Sequence, residues 1–384
     1  MTPRKTNLGA LAMKGTPVVA PVYLTATYRF DKSDDLIDVV QHRSGYIYSR
    51  WDNPTVLAAE KMLADMEGYE HAVGFGSGMA AIATSVMAHV QAGGRIVATH
   101  EIYGGTYELF TDVLPKMGIE VVLVNCGDTD RLLAEIQSGL ALLYLETPTN
   151  PLLRVVDVPP LVEAAHRQKA VVLLDSTFAS PVNQHPVAWG VDITVHSATK
   201  YLGGHHDVTA GFACCSAKCF QAVWDYRKIL GGVMDPMTAF LIQRGMRTLD
   251  LRIERQNQNA LKIAEFLSRH HRVKAVHYPG LPSHPDHAVA TRQMQGYGGM
   301  LSFELDADFE GTKQFMDRLA RIKLATSLGG ATSLANQPIT NTHAGLSPES
   351  RAKAGVSESL VRLSVGIENV EHLIGDIDQA LAKA

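Results

Sequence analysis

The chain has 384 residues, of which 46% are hydrophobic, enough for a large core and more than one typical domain needs. Its formal net charge is -4, and its lysines and arginines are dispersed, which argues against a nucleic-acid partner. The first 15 residues lack the apolar core of a secretory signal, and the longest apolar runs are strand-length. We therefore expect a cytoplasmic protein with no membrane contact.

The N-terminal part of the chain predicts an arm followed by a helical segment. Residues 1–52 carry turn residues without a strong period, which is typical of an extended arm. Asn53-Pro54-Thr55 then opens a helix, because apolar residues from Val56 to Met66 recur at helical spacing. A glycine-punctuated loop, Gly74 to Gly78, precedes a second helix of small residues.

The middle of the chain alternates short apolar strands with helices. This alternation predicts an α/β fold with a mostly parallel, doubly wound sheet. Ligands of such sheets bind at the carboxyl ends of the strands, where Glu146, Asp175 and Ser197 fall. The predicted strands are Arg95–Thr99, Ile119–Val124, Ala141–Glu146, Ala170–Asp175, Asp192–His196 and Thr209–Cys215.

The character of the sequence changes beyond Arg247. A long polar helix, Leu249 to Arg269, leads into a region predicted to hold fewer strands and more helix. We expect a domain at residues 53–247 and a smaller α+β domain at residues 248–384.

Cysteine and histidine clusters raise the question of a metal. Cys214 and Cys215 are adjacent, so their side chains would point to opposite faces of a strand, and no CxxC spacing occurs. His205-His206-Asp207 has no third ligand at helical spacing. We expect four buried thiols, no disulfide framework and no metal.

Two strand ends carry complementary chemistry. Lys200 follows a predicted strand in Ser197-Ala198-Thr199-Lys200, where burial would lower its pKa and make it an amine nucleophile toward an aldehyde; a surface lysine is the alternative. Asp175 ends an apolar strand and needs a partner unless it only caps the next helix. The pyridine nitrogen of pyridoxal 5′-phosphate (PLP) is such a partner, and the pair is what PLP chemistry requires.

Further residues fit the phosphate and the ring of such a cofactor. Gly78 and Met79 open a helix whose free N–H groups favour an anion, although an ordinary tight turn would look the same. Arg50 could bind a phosphate as a fork, with Tyr48 as a further donor, or lie exposed on the arm. Tyr103 could stack on a planar cofactor or pack in the core.

Arg362 lies in an apolar, strand-like run, Leu360 to Val365. A guanidinium there needs an anion, which the α-carboxylate of an amino-acid substrate or a structural ion pair would supply.

Taken together, these motifs resemble the Cys/Met-metabolism family of fold-type I PLP-dependent enzymes over nearly the whole chain. That family contains cystathionine γ-synthase, cystathionine β- and γ-lyases, methionine γ-lyase and O-acylhomoserine sulfhydrylases. The matching motifs are Tyr46-Ile47-Tyr48-Ser49-Arg50, Asn53-Pro54-Thr55, Ser77-Gly78-Met79, Tyr103-Gly104-Gly105-Thr106, Glu146-Thr147-Pro148-Thr149-Asn150-Pro151, Asp175, His196-Ser197-Ala198-Thr199-Lys200-Tyr201, Tyr278-Pro279-Gly280-Leu281, Ser327-Leu328-Gly329-Gly330 and Val361-Arg362-Leu363-Ser364-Val365-Gly366.

The resemblance implies a cofactor site. Lys200 would bind PLP covalently and shuttle protons, and Asp175 would pair with the pyridine nitrogen. The implied phosphate ligands are Gly78, Met79, Ser197 and Thr199.

The resemblance also implies an oligomer and a substrate site. Tyr48 and Arg50 would reach the phosphate of a neighbouring subunit, which implies a dimer, usually within a homotetramer. Tyr103 would stack on the ring and protonate the leaving group. The residues around the substrate carboxylate or the phenolic oxygen of the cofactor would be Asn150, Ser327 and Arg362.

Two positions depart from the pattern of the relatives. Gly105 stands where methionine γ-lyases typically have cysteine, and Thr332 stands where many members have an acidic residue. Both changes would alter the pocket for the far end of the substrate, and the second weakens the case for a distal amine such as that of cystathionine.

The sequence leaves several activities open. The leading hypothesis is a carbon–sulfur lyase acting by α,γ-elimination on methionine, homocysteine or cystathionine. The alternative is γ-replacement on an O-acylhomoserine, and more distant ones are a non-catalytic PLP-binding protein and an aminotransferase. The full set of Lys200, Asp175, Tyr103 and Arg362 speaks against a mere binder, which needs no proton shuttle.

Overall fold

The computed structural model describes residues 17–340 and 355–382. The helices of this part are α1 (Ser33–His42), α2 (Pro54–Glu67), α3 (Gly78–His89), α4 (Gly104–Glu108), α5 (Thr129–Gln137), α6 (Val158–Arg167), α7 (Ser180–Asn183), α8 (Ala217–Leu230), α9 (Pro236–Met246), α10 (Leu249–Ser268), α11 (His287–Gln293), α12 (Phe309–Arg318) and α13 (Val370–Leu381). Its strands are β1 (His71–Phe75), β2 (Arg95–Thr99), β3 (Glu120–Val124), β4 (Leu142–Glu146), β5 (Val171–Asp175), β6 (Ile193–Ser197), β7 (Gly211–Cys215), β8 (Val273–His277), β9 (Met300–Leu305), β10 (Lys323–Leu324), β11 (Leu334–Asn336) and β12 (Leu360–Ser364).

The first sheet has seven strands in the order β1-β7-β6-β5-β4-β2-β3. β7 runs antiparallel to both of its neighbours, and the other pairs are parallel. Helices α3 and α8 pack on one face, and α2, α5 and α6 pack on the other. This is the mostly parallel, doubly wound sheet that the alternating pattern predicts.

Both faces of the sheet are buried, so its strands are apolar throughout. Cys214 packs with Phe212 on one face of β7, and Cys215 packs with Ala213 on the other. All four cysteines are free and buried, which confirms the predicted thiols. Each fully buried aliphatic side chain stabilises the fold by about 1.5–3 kcal/mol.

Three parallel strands end at the same edge of the sheet. In β4 and β5 the strand ends are paired, with Glu146 directly beside Asp175, and β6 lies next to β5 and ends at Ser197. This edge is where the predicted polar residues fall, and it positions the site described below.

The second sheet has five strands in the order β10-β11-β12-β9-β8, mostly antiparallel. It has its own core with α10, α12 and α13. Helix α10 belongs to both cores, because Leu249 and Ile253 pack with the first and Ile263 and Leu267 with the second. The domain boundary at residues 247/248 stays a prediction.

Two sequence predictions need correction. The predicted loop Gly74 to Gly78 begins inside β1. Gly74 lies in that strand, and its N–H donates to Glu60 Oε1 at 2.7 Å. The arm is not extended throughout, because α1 interrupts it without burying any residue. The described region beyond Arg247 holds five strands against seven before it, as predicted, but their short, weak pattern did not show where they lie. No helix in the described ranges is both long and apolar enough to cross a bilayer.

Candidate active site

A cavity of about 960 Å³ opens at the carboxyl ends of β4, β5 and β6. It brings together residues that lie far apart in the chain. The predicted site residues that line it are Gly78, Met79, Tyr103, Asn150, Asp175, Ser197, Thr199, Lys200, Ser327 and Arg362. Tyr48 and Arg50, the remaining two, lie outside its wall.

Lys200 extends into this cavity from the turn that follows β6. Its Nζ donates to the hydroxyl of Ser327 at 3.0 Å. Burial, with a smaller contribution from the positive charge of Arg362, lowers the pKa of Lys200 to about 8. A substantial fraction of the amine is therefore neutral and nucleophilic near neutral pH. Ser327 has a φ of 80°, a left-handed conformation that non-glycine residues adopt rarely and often at functional sites.

Arg362 on β12 is the other cation of the cavity wall, and only 2% of it is exposed. Its Nη1 donates to Asn150 Oδ1 at 3.0 Å, and its Nη2 donates to the carbonyl of Ser327 at 3.4 Å. Its Nε has no partner among the described residues. Burial lowers the pKa of Arg362 to about 10, and no carboxylate of the described chain pairs with it. The guanidinium therefore still has capacity for an anion.

Asp175 lies at the end of β5 with 6% of its surface exposed. Its Oδ1 accepts the backbone N–H of Thr177 at 2.9 Å, so the carboxylate supports the turn that follows the strand. Burial raises the pKa of Asp175, and the groups of Thr177 and the nearby His196 counteract that rise. The predicted alternative, a cap for the next helix, is not what the carboxylate does, because the N-cap of α7 is Ala179 and has no side-chain hydrogen bond.

A helix terminus supplies the predicted anion cradle. Ser77 caps α3, with its hydroxyl accepting from Ala80 at 3.1 Å, so the N–H groups of Gly78 and Met79 have no acceptor within the helix. Gly211 on β7 lets this loop approach, because a Cβ there would lie 2.2 Å from the carbonyl oxygen of Ser77. The sequence pattern shows Ser77 as a cap, but it contains no signal for the role of Gly211.

Hydroxyl groups complete the cradle. Ser197 lies against Gly78, where an added Cβ would come within 2.9 Å of the Ser197 Cβ. The N–H of Ser197 donates to the hydroxyl of Thr177 at 2.8 Å. The hydroxyl of Thr199 accepts the N–H of Ala210 at 3.0 Å. Sequence reasoning missed Thr177, whose signal was its place two residues after a strand-end aspartate, where Asx turns form.

Tyr103 precedes α4 and is 46% exposed, which argues against the core-packing alternative. Its N–H donates to Glu146 Oε2 at 2.8 Å. A Cβ on Gly105 would lie 2.8 Å from the ring of Tyr103. The glycine, which stands where methionine γ-lyases typically have cysteine, therefore leaves room for the ring. Thr332, the second departure, lies outside the cavity wall.

Tyr48 and Arg50 belong to a surface segment of the arm. Arg50 donates to the carbonyl of Lys228, and Tyr48 is 44% exposed. Buried Arg227 donates to the carbonyl of Trp51 at 2.6 Å and fixes this segment to α8. The two predicted phosphate ligands thus stand on the outside of their own chain.

The donor set of the cavity fits PLP. It combines an amine of lowered pKa, a strand-end carboxylate, two free N–H groups at a helix N-terminus, and two hydroxyls. The unpartnered Nε of Arg362 adds a place for a second anion in the same cavity. Among the residues described, no group of three histidine, cysteine or acidic side chains could hold a metal ion.

Comparisons with known proteins agree with this geometry. A model of the family described as Cys/Met metabolism PLP-dependent enzyme matches residues 9–382. Cystathionine gamma-synthase 1, chloroplastic, from Arabidopsis thaliana is 42% identical over 366 residues, which are 95% of this chain and 65% of that relative. L-methionine gamma-lyase of Fusobacterium nucleatum subsp. polymorphum is 39% identical over 383 residues, 99% of this chain and 95% of the relative.

Solved structures give the same result for the fold. The structure of cystathionine gamma synthase from Xanthomonas oryzae pv. oryzae in complex with cystathionine superposes with a TM-score of 0.91 at 38% identity. The match covers 95% of this chain and 93% of that one.

Proposed function

This chain belongs to the Cys/Met metabolism family of PLP-dependent enzymes, and we propose that it is a carbon–sulfur lyase that performs α,γ-elimination on a sulfur amino acid. The substrate would be methionine, homocysteine or cystathionine. With one water, the substrate gives a thiol, ammonia and 2-oxobutyrate. The alternative is γ-replacement on an O-acylhomoserine, in which a thiol displaces the acyloxy group.

The buried guanidinium of Arg362 is the observation that supports an amino-acid substrate best. It lies in the same cavity as Lys200, it has an unpartnered Nε, and no carboxylate of the described chain pairs with it. The α-carboxylate of an amino acid would fill that place as a bidentate partner, with Asn150 and Ser327 beside it. A carboxylate bound there would bring the α-carbon toward the amine of Lys200, which shares Ser327 as a partner with Arg362.

Bound PLP supplies an electron sink for the carbanion chemistry. Lys200 would attach the cofactor and, once released by the substrate amine, would take the α-proton, return that proton to the bound cofactor so that its amine is neutral again, and then take a proton from Cβ. Its pKa of about 8 suits both taking and returning a proton near neutral pH. Tyr103, which lines the cavity, would give a proton to the departing sulfur.

The remaining cofactor ligands follow from the geometry. Asp175 would face the pyridine nitrogen and keep it protonated. The phosphate would lie at the N-terminus of α3, against the ligands Gly78, Met79, Ser197 and Thr199.

The charge of the cavity wall favours the lyase reaction over γ-replacement on O-succinylhomoserine. Glu108 and Asp112 line the cavity on α4 and just after it. Lys200 and Arg362 are the lysine and arginine among the lining residues, and both already have a role. Within the described residues of one chain, the distal carboxylate of an O-succinylhomoserine would meet Glu108 and Asp112, and neither Lys200 nor Arg362 is free to pair with it. The neutral side chain of methionine or homocysteine avoids that repulsion.

A substrate panel tests the proposal. The purified enzyme receives methionine, homocysteine or cystathionine, and separately O-acetyl- or O-succinylhomoserine with and without cysteine or sulfide. We expect 2-oxobutyrate and ammonia from a sulfur amino acid without added thiol. Pyruvate in place of 2-oxobutyrate would indicate β-elimination, and a product formed only when a thiol accompanies an acylhomoserine would establish γ-replacement instead.

We also propose a homo-oligomer, a dimer of dimers, in which Tyr48 and Arg50 reach the phosphate of the neighbouring subunit. The support is the surface position of both residues, held in place by Arg227. The arm also exposes a set of large apolar side chains that a partner subunit would cover: Val18, Val19, Tyr23, Leu24, Leu36, Ile37 and Val40. A cytoplasmic location is part of the same proposal, and four free cysteines agree with it.

A further inference from the structure

Glu146 is a buried acid at the site with no assigned role. It ends β4 directly beside Asp175, and the two residues are 4% and 6% exposed. Both line the cavity. Two ionised carboxylates on paired positions of a buried sheet edge repel each other, which favours a proton on one of the pair.

The surroundings of Glu146 and Asp175 act differently on the pKa of each acid. Burial and the negative charge of Asp175 raise the pKa of Glu146 well above its usual value, and the N–H groups of Tyr103 and Asn150 counteract only part of that rise. Burial also raises the pKa of Asp175, but the groups of Thr177 and the nearby His196 lower it.

The lysine and the arginine of the cavity wall have hydrogen-bond partners other than Glu146. On its own strand, Tyr144 keeps a neutral phenol, because burial raises its pKa well above the ordinary value. Lys200 donates to Ser327, and Arg362 donates to Asn150 and Ser327.

We propose that Glu146 stays a neutral carboxylic acid in the enzyme and acts as a positioning residue for Tyr103. Its Oε2 accepts the N–H of Tyr103 at 2.8 Å, while Tyr103 has no side-chain bond of its own that caps α4. A neutral Glu146 also leaves Asp175 as the one negative charge of the pair. The inference rests on the proposed roles of Asp175 and Tyr103.

Two variants of the holoenzyme separate a neutral from a charged side chain. Glu146→Gln has the shape of the protonated acid, so we expect the dissociation constant of PLP and kcat to stay within about threefold of the wild type. Glu146→Ala leaves the N–H of Tyr103 without its acceptor, and we expect kcat to fall about tenfold to hundredfold with PLP affinity less affected. Asp175→Asn is the matched control, because it removes the negative charge proposed to pair with the pyridine nitrogen of PLP.

Infrared spectroscopy gives a readout that does not depend on activity. The wild-type holoenzyme should show the C=O stretching band of a protonated carboxyl group near neutral pH, and Glu146→Gln should lack it. This comparison decides the proposal even where Glu146→Ala does not fold. The proposal is overturned when no such band disappears, or when Glu146→Gln loses PLP affinity as strongly as Asp175→Asn.

The same experiment distinguishes this inference from the proposed function. A wild-type protein that does not bind PLP at Lys200 contradicts the assigned site as a whole. A wild type that binds PLP and turns over a sulfur amino acid, with Glu146→Gln behaving as the loss of a charge, contradicts the role of Glu146 alone.

Discussion

The cavity wall and the arm place their cations in opposite ways. Arg362 is buried and Lys200 partly buried in their own chain, where lost solvation lowers the pKa of each. Arg50 stands exposed outside that cavity, with a backbone carbonyl as its protein partner. One chain by itself therefore brings the amine and the guanidinium into a single cavity, whereas its arm residues face away from that cavity.

Removal of the cavity amine should have the largest effect. In Lys200→Ala we expect kcat to fall by at least about 10³-fold, because a proton carrier and the covalent attachment are both lost. The measurement is 2-oxo acid release, together with the visible absorbance of PLP bound to lysine. Lys218→Ala, a lysine outside the cavity, is the control, and a Lys200→Ala protein with the wild-type absorbance would refute the assignment.

Removal of the buried guanidinium should come next. In Arg362→Leu we expect the KM for the amino acid to rise about 10²-fold, because a buried charge-assisted contact to the carboxylate is worth about 2–5 kcal/mol. Arg362→Lys keeps the charge but loses the fork, so its defect should be intermediate. Steady-state kinetics on both variants check this, and an unchanged KM would place the substrate carboxylate elsewhere.

Substitution of Arg50 on the arm should have a smaller effect on PLP binding, and that effect should depend on the neighbouring subunit. In Arg50→Ala we expect the dissociation constant of PLP to rise about tenfold, the loss of one charge-assisted hydrogen bond to a phosphate. Arg29→Ala, another exposed arginine of the arm, is the matched control. Titration of the apoenzyme with PLP measures the dissociation constant of both variants. In mixed oligomers of Arg50→Ala and Lys200→Ala chains, some sites combine Lys200 of the first chain with Arg50 of the second, and these sites should bind PLP as the wild type does. No recovery would argue against a shared site.

The smallest change should be the shift in the pH midpoint of PLP capture on substitution of Arg362, which sharpens the electrostatic part of the comparison. Burial and Arg362 disfavour the cation of Lys200 and set its pKa at about 8, so the reactive neutral amine is lost as the pH falls through 8. We expect the rate of PLP capture by the apoenzyme to level off above that pH and to fall about tenfold per pH unit below it. Because Arg362 is the lesser cause, Arg362→Leu should raise the midpoint only slightly. A midpoint near that of free lysine would contradict a buried amine.

Sequence patterns predicted much of the site because several of its residues end apolar strands. Asp175 and Ser197 were identified from the runs before them, and the parallel arrangement placed them at one edge. Gly211 escaped this reasoning, since only the close approach of the loop at Ser77 shows why a side chain is excluded there. Glu146 was identified as a strand end, but its pairing with Asp175 depends on the strand order.

By itself the sequence determined the alternation of strands and helices, the buried thiols, and the residues whose chemistry suits PLP, because these depend on local period and residue type. Only the tertiary structure decided that Arg362, from a distant strand, shares a cavity with Lys200, and that Tyr48 and Arg50 lie outside it. The physical reason is that burial and distance set the pKa of an amine and the capacity of a guanidinium, and both arise from contacts between segments far apart in the chain.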